Sequence, residues 1–174
     1  MSGKIKLHIG GQTPKEGWSI LDIQAGPGVD YVGSCVDLSF LADGSCAEVY
    51  ASHVLEHLSY DADLPRAMKE IHRVLEPGGR LRVSAPDLAV LCRLFSKPGA
   101  TVEHRYNIMR MMFGGQVDPH DFHFAGFWPE FLAALLKEAG FSMFEPAGSF
   151  GEFKDASELT CNGELISLNM EAYK

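Results

Sequence analysis

The stretch that decides the fold is Val49-Tyr50-Ala51-Ser52-His53-Val54-Leu55-Glu56-His57, followed by an amphipathic segment and then Arg73-Val74-Leu75-Glu76-Pro77-Gly78-Gly79. Taken literally, His53, Glu56 and His57 match H-x-x-E-H, a zinc-protease pattern in which two histidines bind metal beside a catalytic carboxylate. That chemistry requires a helix placing His53 and His57 one turn apart, with a third ligand from elsewhere. Here His53 directly follows an apolar strand, so the five residues sit where a strand hands over to a helix. In open α/β sheets that switch is where ligands bind. The crossover reading is preferred, no metal ligand set is assigned, and a zinc hydrolase using His53, Glu56 and His57 remains a remote alternative.

Working outward, Leu64, Met68, Ile71 and Leu75 recur at one face of a helix, with Asp61 or Asp63 available as cap and Pro65 tolerated in the first turn. Pro77-Gly78-Gly79 is expected to end it. Upstream, Ile5, Leu7 and Ile9 alternate with Lys4, Lys6 and His8 as a strand ending at Gly10-Gly11. Further strands are predicted at Trp18 to Ile23, Tyr31 to Ser34 and Ala47 to Ser52, with Ala25-Gly26-Pro27-Gly28 as a turn. Downstream, Leu81 to Ala85 reads as a strand closed by Pro86, and Asp87 caps a helix carrying Leu88, Leu91 and Leu94. A second helical pattern, Glu103 to Phe113, stops at Gly114-Gly115. Pro129 opens a helix with Phe131, Leu132, Leu135 and Leu136 inward and Gly140 as its stop. A strand near Phe141 to Glu145 and a last strand near Glu164 to Tyr173 complete the chain.

This order predicts an α/β fold: a mainly parallel, Rossmann-like sheet with reduced N-terminal crossover helices and a C-terminal antiparallel strand pair. The first crossovers are too short for helices, so either they are bare loops or some early strands pair antiparallel. Bare loops would leave one sheet face without helices and its apolar surface in need of cover, which suggests a homo-oligomer.

With 174 residues, 46% of them hydrophobic, the chain can bury one sizeable core, and a single domain over 1–174 is expected. No apolar run approaches the roughly 18 residues of a membrane helix, and the polar start Met1-Ser2-Gly3-Lys4 lacks a secretory stretch. No membrane association and a cytoplasmic location are expected. Cys35, Cys46, Cys92 and Cys161 are widely spaced, which argues against a thiol-zinc site or disulfide framework and for most of them being small core residues. A net charge of −8 without a basic cluster argues against nucleic acid. Met109, Met111 and Met112 read as core packing.

The series Lys6-Leu7-His8-Ile9-Gly10-Gly11, Gly17-Trp18, Leu21-Asp22-Ile23, Ala51 to His57, Glu70 to Leu81 and Ala85-Pro86-Asp87 resembles the class I S-adenosylmethionine-dependent methyltransferases. More narrowly it is similar to the short "type 11" branch that lacks a proper first crossover helix. The resemblance implies S-adenosylmethionine as cofactor and a small molecule, a sugar or a protein side chain as acceptor. It implies that Gly10 and Gly11 meet the methionine part and that Asp22 accepts the ribose hydroxyls. Ser34, Cys35, Asp37 and Leu38 would border the adenine, and Ser52 and His53 would flank the methyl end. The chain departs from the family at Gln12, where a further glycine is usual, and at Ser34, where an Asp is common. At Gln12 the loop would then either take a different path or use the Gln12 amide as donor.

These departures keep a second reading open, a non-catalytic ligand-binding protein of methyltransferase fold. A dinucleotide site is discounted, since Gly10-Gly11-Gln12-Thr13-Pro14 lacks both the third glycine and an evident helix. His57 either points toward substrate or packs and caps. The loop Asp118-Pro119-His120-Asp121-Phe122-His123 could be a metal site, a proton-transfer group or a polar loop. Methyl transfer to oxygen or nitrogen needs a proton removed, so His120 or His123 is taken as the substrate-side base, with substrate entering over Asp118 to Phe127.

Overall fold

The computed structural model describes residues 4–174; Met1, Ser2 and Gly3 of the polar start lie outside the described residues. Seven strands form one sheet in the order β3-β2-β1-β4-β5-β9-β6. They are β1 (Ile5–Ile9), β2 (Ser19–Asp22), β3 (Tyr31–Val32), β4 (Cys46–Ser52), β5 (Leu75–Pro86), β6 (Met143–Ala147) and β9 (Ser167–Tyr173). β1 through β5 pair in parallel, and β9 runs antiparallel between β5 and β6. A small hairpin, β7 (Thr160–Cys161) with β8 (Glu164–Leu165), stands apart. The helices are α1 (Asp63–Val74), α2 (Leu88–Phe95), α3 (Val102–Phe113) and α4 (Pro129–Ala139).

The early strands resolve in favour of parallel pairing through bare loops. What replaces the missing helix after β3 is a loop that plugs the core with its own side chains: Cys35, Leu38 and Leu41 are all buried. Helix α1 clamps that loop from outside. The Arg73 guanidinium donates to the carbonyls of Leu38 (2.8 Å) and Leu41 (2.9 Å), and Glu70 accepts from the Leu38 amide at 2.9 Å. A loop with this many fixed backbone groups does not need helical hydrogen bonds to satisfy its polar atoms.

One sheet face is apolar. Leu7, Ile9, Leu21, Val49, Ala51, Leu81 and Val83 form a single cluster with Ala67, Met68 and Ile71 of α1 and Leu132 and Leu136 of α4. The opposite face is not the bare apolar surface expected from the short crossovers. Strand alternation brings Glu48, Arg80, Arg82 and Glu171 to it, and Arg82 lies within 3.3 Å of Glu48 and Glu171 and donates to Glu152 at 2.9 Å. Beside this charge ladder, His8, Trp18 and Tyr50 pack under Phe150 and Phe153. The 148–159 segment is therefore the cover, and the premise for self-association through an apolar face does not hold.

Two local expectations are corrected. The N-cap of α1 is Ala62, and neither Asp61 nor Asp63 caps it; Ser59 accepts from the Asp63 amide at 3.1 Å instead, one turn earlier than the helical pattern begins. Nor does Pro77-Gly78-Gly79 stop the helix. α1 ends at Val74, Leu75 already pairs with Cys46, and the Pro-Gly-Gly turn is a bend inside β5 where the register shifts. The last carbonyls of α1 are met by Lys174, whose ammonium donates to Arg73 (3.1 Å) and Leu75 (2.7 Å). A cation at a helix C-terminus also complements its dipole. The other caps fall as read: Asp87 accepts from Val90 at the start of α2, and Gly140 at φ 105° closes α4. Met111 and Met112 pack on a second small cluster of Leu91, Leu94, Ile108 and Ile166, whereas Met109 is exposed. Cys35 and Cys46 are buried, and Cys92 is exposed.

Candidate functional site

Strand order reverses between β1, which continues to β2 and β3, and β4, which continues to β5. At such a switch the loops leaving the strand ends diverge and open a crevice. A cavity of about 720 Å³ lies there, within the roughly 300–1,000 Å³ usual for small-molecule sites. Its floor is the turn after β1. Gly10 has φ 72°, and a Cβ there would lie 2.4 Å from Val54 Cγ2; a Cβ on Gly11 would lie 2.6 Å from the His8 ring. Backbone and space both call for glycine at Gly10, and space alone does at Gly11, so a ligand can approach main chain directly.

Of the residues singled out in the sequence, Gly10, Gly11, Gln12, Asp22, Ser34, Cys35, His53 and His120 line this cavity. Asp22 ends β2, and its Oδ1 accepts the Gln24 amide at 2.8 Å. One carboxylate oxygen is thus fixed and the other is available to ligand hydroxyls. Ser34 Oγ accepts from Val36 N at 3.3 Å. Burial pushes the Cys35 thiol up to about 12, so it acts as a neutral wall.

Asp37, Leu38, Ser52 and His123 are not among the lining residues. Asp37 is exposed and turned onto the Ser39 amide, and Leu38 is core. The same loop that supplies Ser34 and Cys35 turns away after them to be clamped by Arg73. The sequence reading passed over the β2–β3 loop, where Ile23, Gln24, Gly26, Pro27 and Val29 form one wall. Ala25-Gly26-Pro27-Gly28 carried that signal but read only as a turn. Val117 to Asp121 and Phe124 roof the opposite side, which puts His120 over the cavity.

The H-x-x-E-H residues do not form a metal-binding helix. His53 sits at φ 54°, outside the short 3₁₀ turn Leu55–His57, and its Nε2 is 3.0 Å from Ser167 Oγ. Burial lowers the His53 pKa to about 4, with the positive fields of His123 and His57 adding to it. Glu56 is 1% exposed, and burial raises its carboxyl to about 8. His57 lines the cavity and also holds the Phe122 carbonyl at 3.0 Å, so it both borders the cavity and packs. His123 meets His57 edge-on, its ring centroid 4.8 Å away. The structure therefore parts the two candidate bases: His120 faces the cavity, and His123 joins Glu56 and His57.

A mainly parallel sheet in this order, with one antiparallel strand beside the last and the cavity at the β1/β4 switch, is the fold of the class I S-adenosylmethionine-dependent methyltransferases. Residues 19–83 match the family model described as "Methyltransferase domain". Among solved structures, a SAM-dependent methyltransferase from Archaeoglobus fulgidus is similar with a TM-score of 0.62, at 16% identity over 99% of this chain and 87% of that one. One from Methanosarcina mazei is similar with a TM-score of 0.59, at 19% identity over 100% of this chain and 93% of that one. The trans-methyltransferase CalH, solved in complex with SAH, aligns with a TM-score of 0.56 and 20% identity, over 98% of this chain and 51% of its own. No curated protein sequence matches the chain. Among the described residues no helix is long and apolar enough to cross a membrane.

Proposed function

We propose that the chain is an S-adenosylmethionine-dependent methyltransferase acting on a small-molecule, sugar or protein side-chain acceptor. The observation that carries this reading is the cavity itself: a glycine floor that admits no side chain, a strand-end carboxylate at Asp22, and the Ser34-Cys35 wall, all at the strand switch. These residues fit the cofactor's parts. Gly10 and Gly11 would admit the methionyl backbone, Asp22 would accept two ribose hydroxyls, and Ser34 with Cys35 would border the base. The cofactor, when bound, supplies an electrophilic sulfonium methyl.

The chain's own contribution is to orient an acceptor, exclude water and take a proton. Val117 to Asp121 and Phe124 border the cavity on the side where an acceptor would enter, and much of the rate would come from proximity and alignment. His120 is the proposed base, because the residue borders the cavity and its backbone is held by Asp118 Oδ1 at 2.7 Å.

Calorimetric titration with S-adenosylmethionine and S-adenosylhomocysteine tests the reading. Micromolar binding of either, weakened at least about tenfold by Asp22→Ala through loss of one charged hydrogen-bond interaction of ~1.5–3 kcal/mol, is the expected result. No measurable binding of either would overturn it.

A further inference from the structure

We propose that Glu56, His57 and His123 form a binding site for a divalent first-row transition metal such as Zn²⁺, at the edge of the cavity. One potential ligand atom from each residue lies within 4.8 Å of those from the other two. The proposal does not depend on the methyltransferase reading.

The case rests on where the protons are. His57 Nδ1 lies 3.0 Å from the Phe122 carbonyl and His123 Nδ1 lies 3.1 Å from the Met111 carbonyl. A carbonyl only accepts, so each Nδ1 must donate its N–H, and each Nε2 is left with a lone pair. The Ser167 hydroxyl donates to the Ala156 carbonyl at 2.6 Å, so it must accept from His53 Nε2. The His53 Nδ1 lone pair then faces Glu56 Oε1 at 3.4 Å. One imidazole lone pair thus faces, and two more imidazoles with a free nitrogen lie close to, a buried carboxyl whose two oxygens have no hydrogen-bond partner. Two carboxyl oxygens buried without a partner are costly, and a cation or a proton relieves that cost.

Two imidazoles and one carboxylate suit Zn²⁺, Fe²⁺, Co²⁺ or Ni²⁺ rather than Mg²⁺ or Ca²⁺. Fixing Nδ1 to a backbone carbonyl is also how metal-binding histidines are oriented. The framework is tied by backbone: the Phe124 and Ala125 amides both donate to the Glu56 carbonyl, at 2.8 and 3.1 Å. At metal–ligand bonds of roughly 2.0–2.2 Å the ligand atoms sit about 3–3.5 Å apart, so binding draws the three together by about an ångström. His57 borders the cavity, which places the site at its edge.

The full chain, stripped with a chelator, is titrated with Zn²⁺ against a chromophoric chelator. Co²⁺ serves as a visible-absorption probe of nitrogen ligation. One Zn²⁺ per chain at a Kd of about 1 µM or tighter is expected. His57→Ala, His123→Ala and Glu56→Gln each weaken it at least tenfold, and His120→Ala leaves it within twofold. Absence of saturable binding to the folded chain means that a proton on Glu56 fills the role, and overturns the proposal. Equal affinity in wild type and His123→Ala, or a loss confined to His120→Ala, overturns it too. Should Glu56→Gln fail to fold, the two histidine variants decide.

Discussion

Stability should fall on mild acidification because of one buried ring, His8. It is 6% exposed, with the Phe153 ring centred 4.0 Å from it and that of Tyr50 5.1 Å away. Its Nδ1 has no hydrogen-bond partner, and Gly11 closes in behind it. Burial lowers its pKa from 6.5 to about 4, against a smaller upward pull from Asp155. Between those values the unfolded chain takes up a proton that the folded chain refuses. The contribution of His8 is therefore fully present above pH 6.5 and is lost as pH falls toward 4. Integrating that difference from pH 7 to pH 5 gives about 2 kcal/mol. Urea denaturation of wild type and His8→Phe at several pH values isolates the term, since His53, which titrates in the same window, is common to both. Phenylalanine keeps the ring packing and removes the unpartnered nitrogen, so the variant's advantage over wild type should grow by about 2 kcal/mol between pH 7 and pH 5. Parallel stability curves would refute the account of His8 as a buried neutral group.

Other perturbations test the frame around the cavity. Arg73→Met removes the donors that hold the Leu38 and Leu41 carbonyls and should lower stability by about 2–4 kcal/mol in denaturant unfolding. The effect on ligand affinity should be smaller, because Ser34 and Cys35 precede the clamp. Gly10→Ala forces a side chain into φ 72° and against Val54; the backbone term alone is about 1–2 kcal/mol, and the displaced Val54 should weaken S-adenosylhomocysteine at least tenfold by calorimetry. Arg82→Met removes the cation between Glu48, Glu152 and Glu171, while Glu48 keeps Arg80 at 2.9 Å; a loss of about 1–3 kcal/mol in thermal or urea unfolding is expected, as for a lost hydrogen bond to a charged group.

What the sequence disclosed followed from periodicity and local chemistry. The alternation of Ile5, Leu7 and Ile9, the Asp87 cap, the Pro129 start and the Gly140 stop each depend on neighbours a few residues away. The same holds for Gly10, Gly11 and Asp22, which border the cavity because a parallel strand delivers its C-terminal end to one edge of the sheet. The direction of β2 and β3 was not legible, since a short loop permits either pairing until something fixes it. The fixing group, Arg73, lies on a helix far along the chain from the loop it holds.

The opposite sheet face was misjudged for a different reason, and the reason bears on function. Lys6 and His8, Glu48 and Tyr50, Arg80 and Arg82 occupy alternate positions in three neighbouring strands, so the polarity of that face was written in each strand. It became one charge ladder only when register set Glu48 beside Arg80 and Tyr50 beside Arg82. The cover over it, Phe150 to Asp155, read as an ordinary loop, although Glu152 is pulled down to about 2 by Lys15 and Arg82 and so stays anionic. The histidines follow the same logic. His53, Glu56 and His57 looked like a metal set because they are adjacent in sequence, but His53 stands at the strand end with its Nε2 on Ser167, while Glu56 and His57, on the 3₁₀ turn, come together with His123. His123 enters through the backbone ties between Phe124, Ala125 and Glu56, which no local pattern encodes. Long-range hydrogen bonding thus selected which histidine faces the buried carboxylate and which, His120, stayed over the cavity.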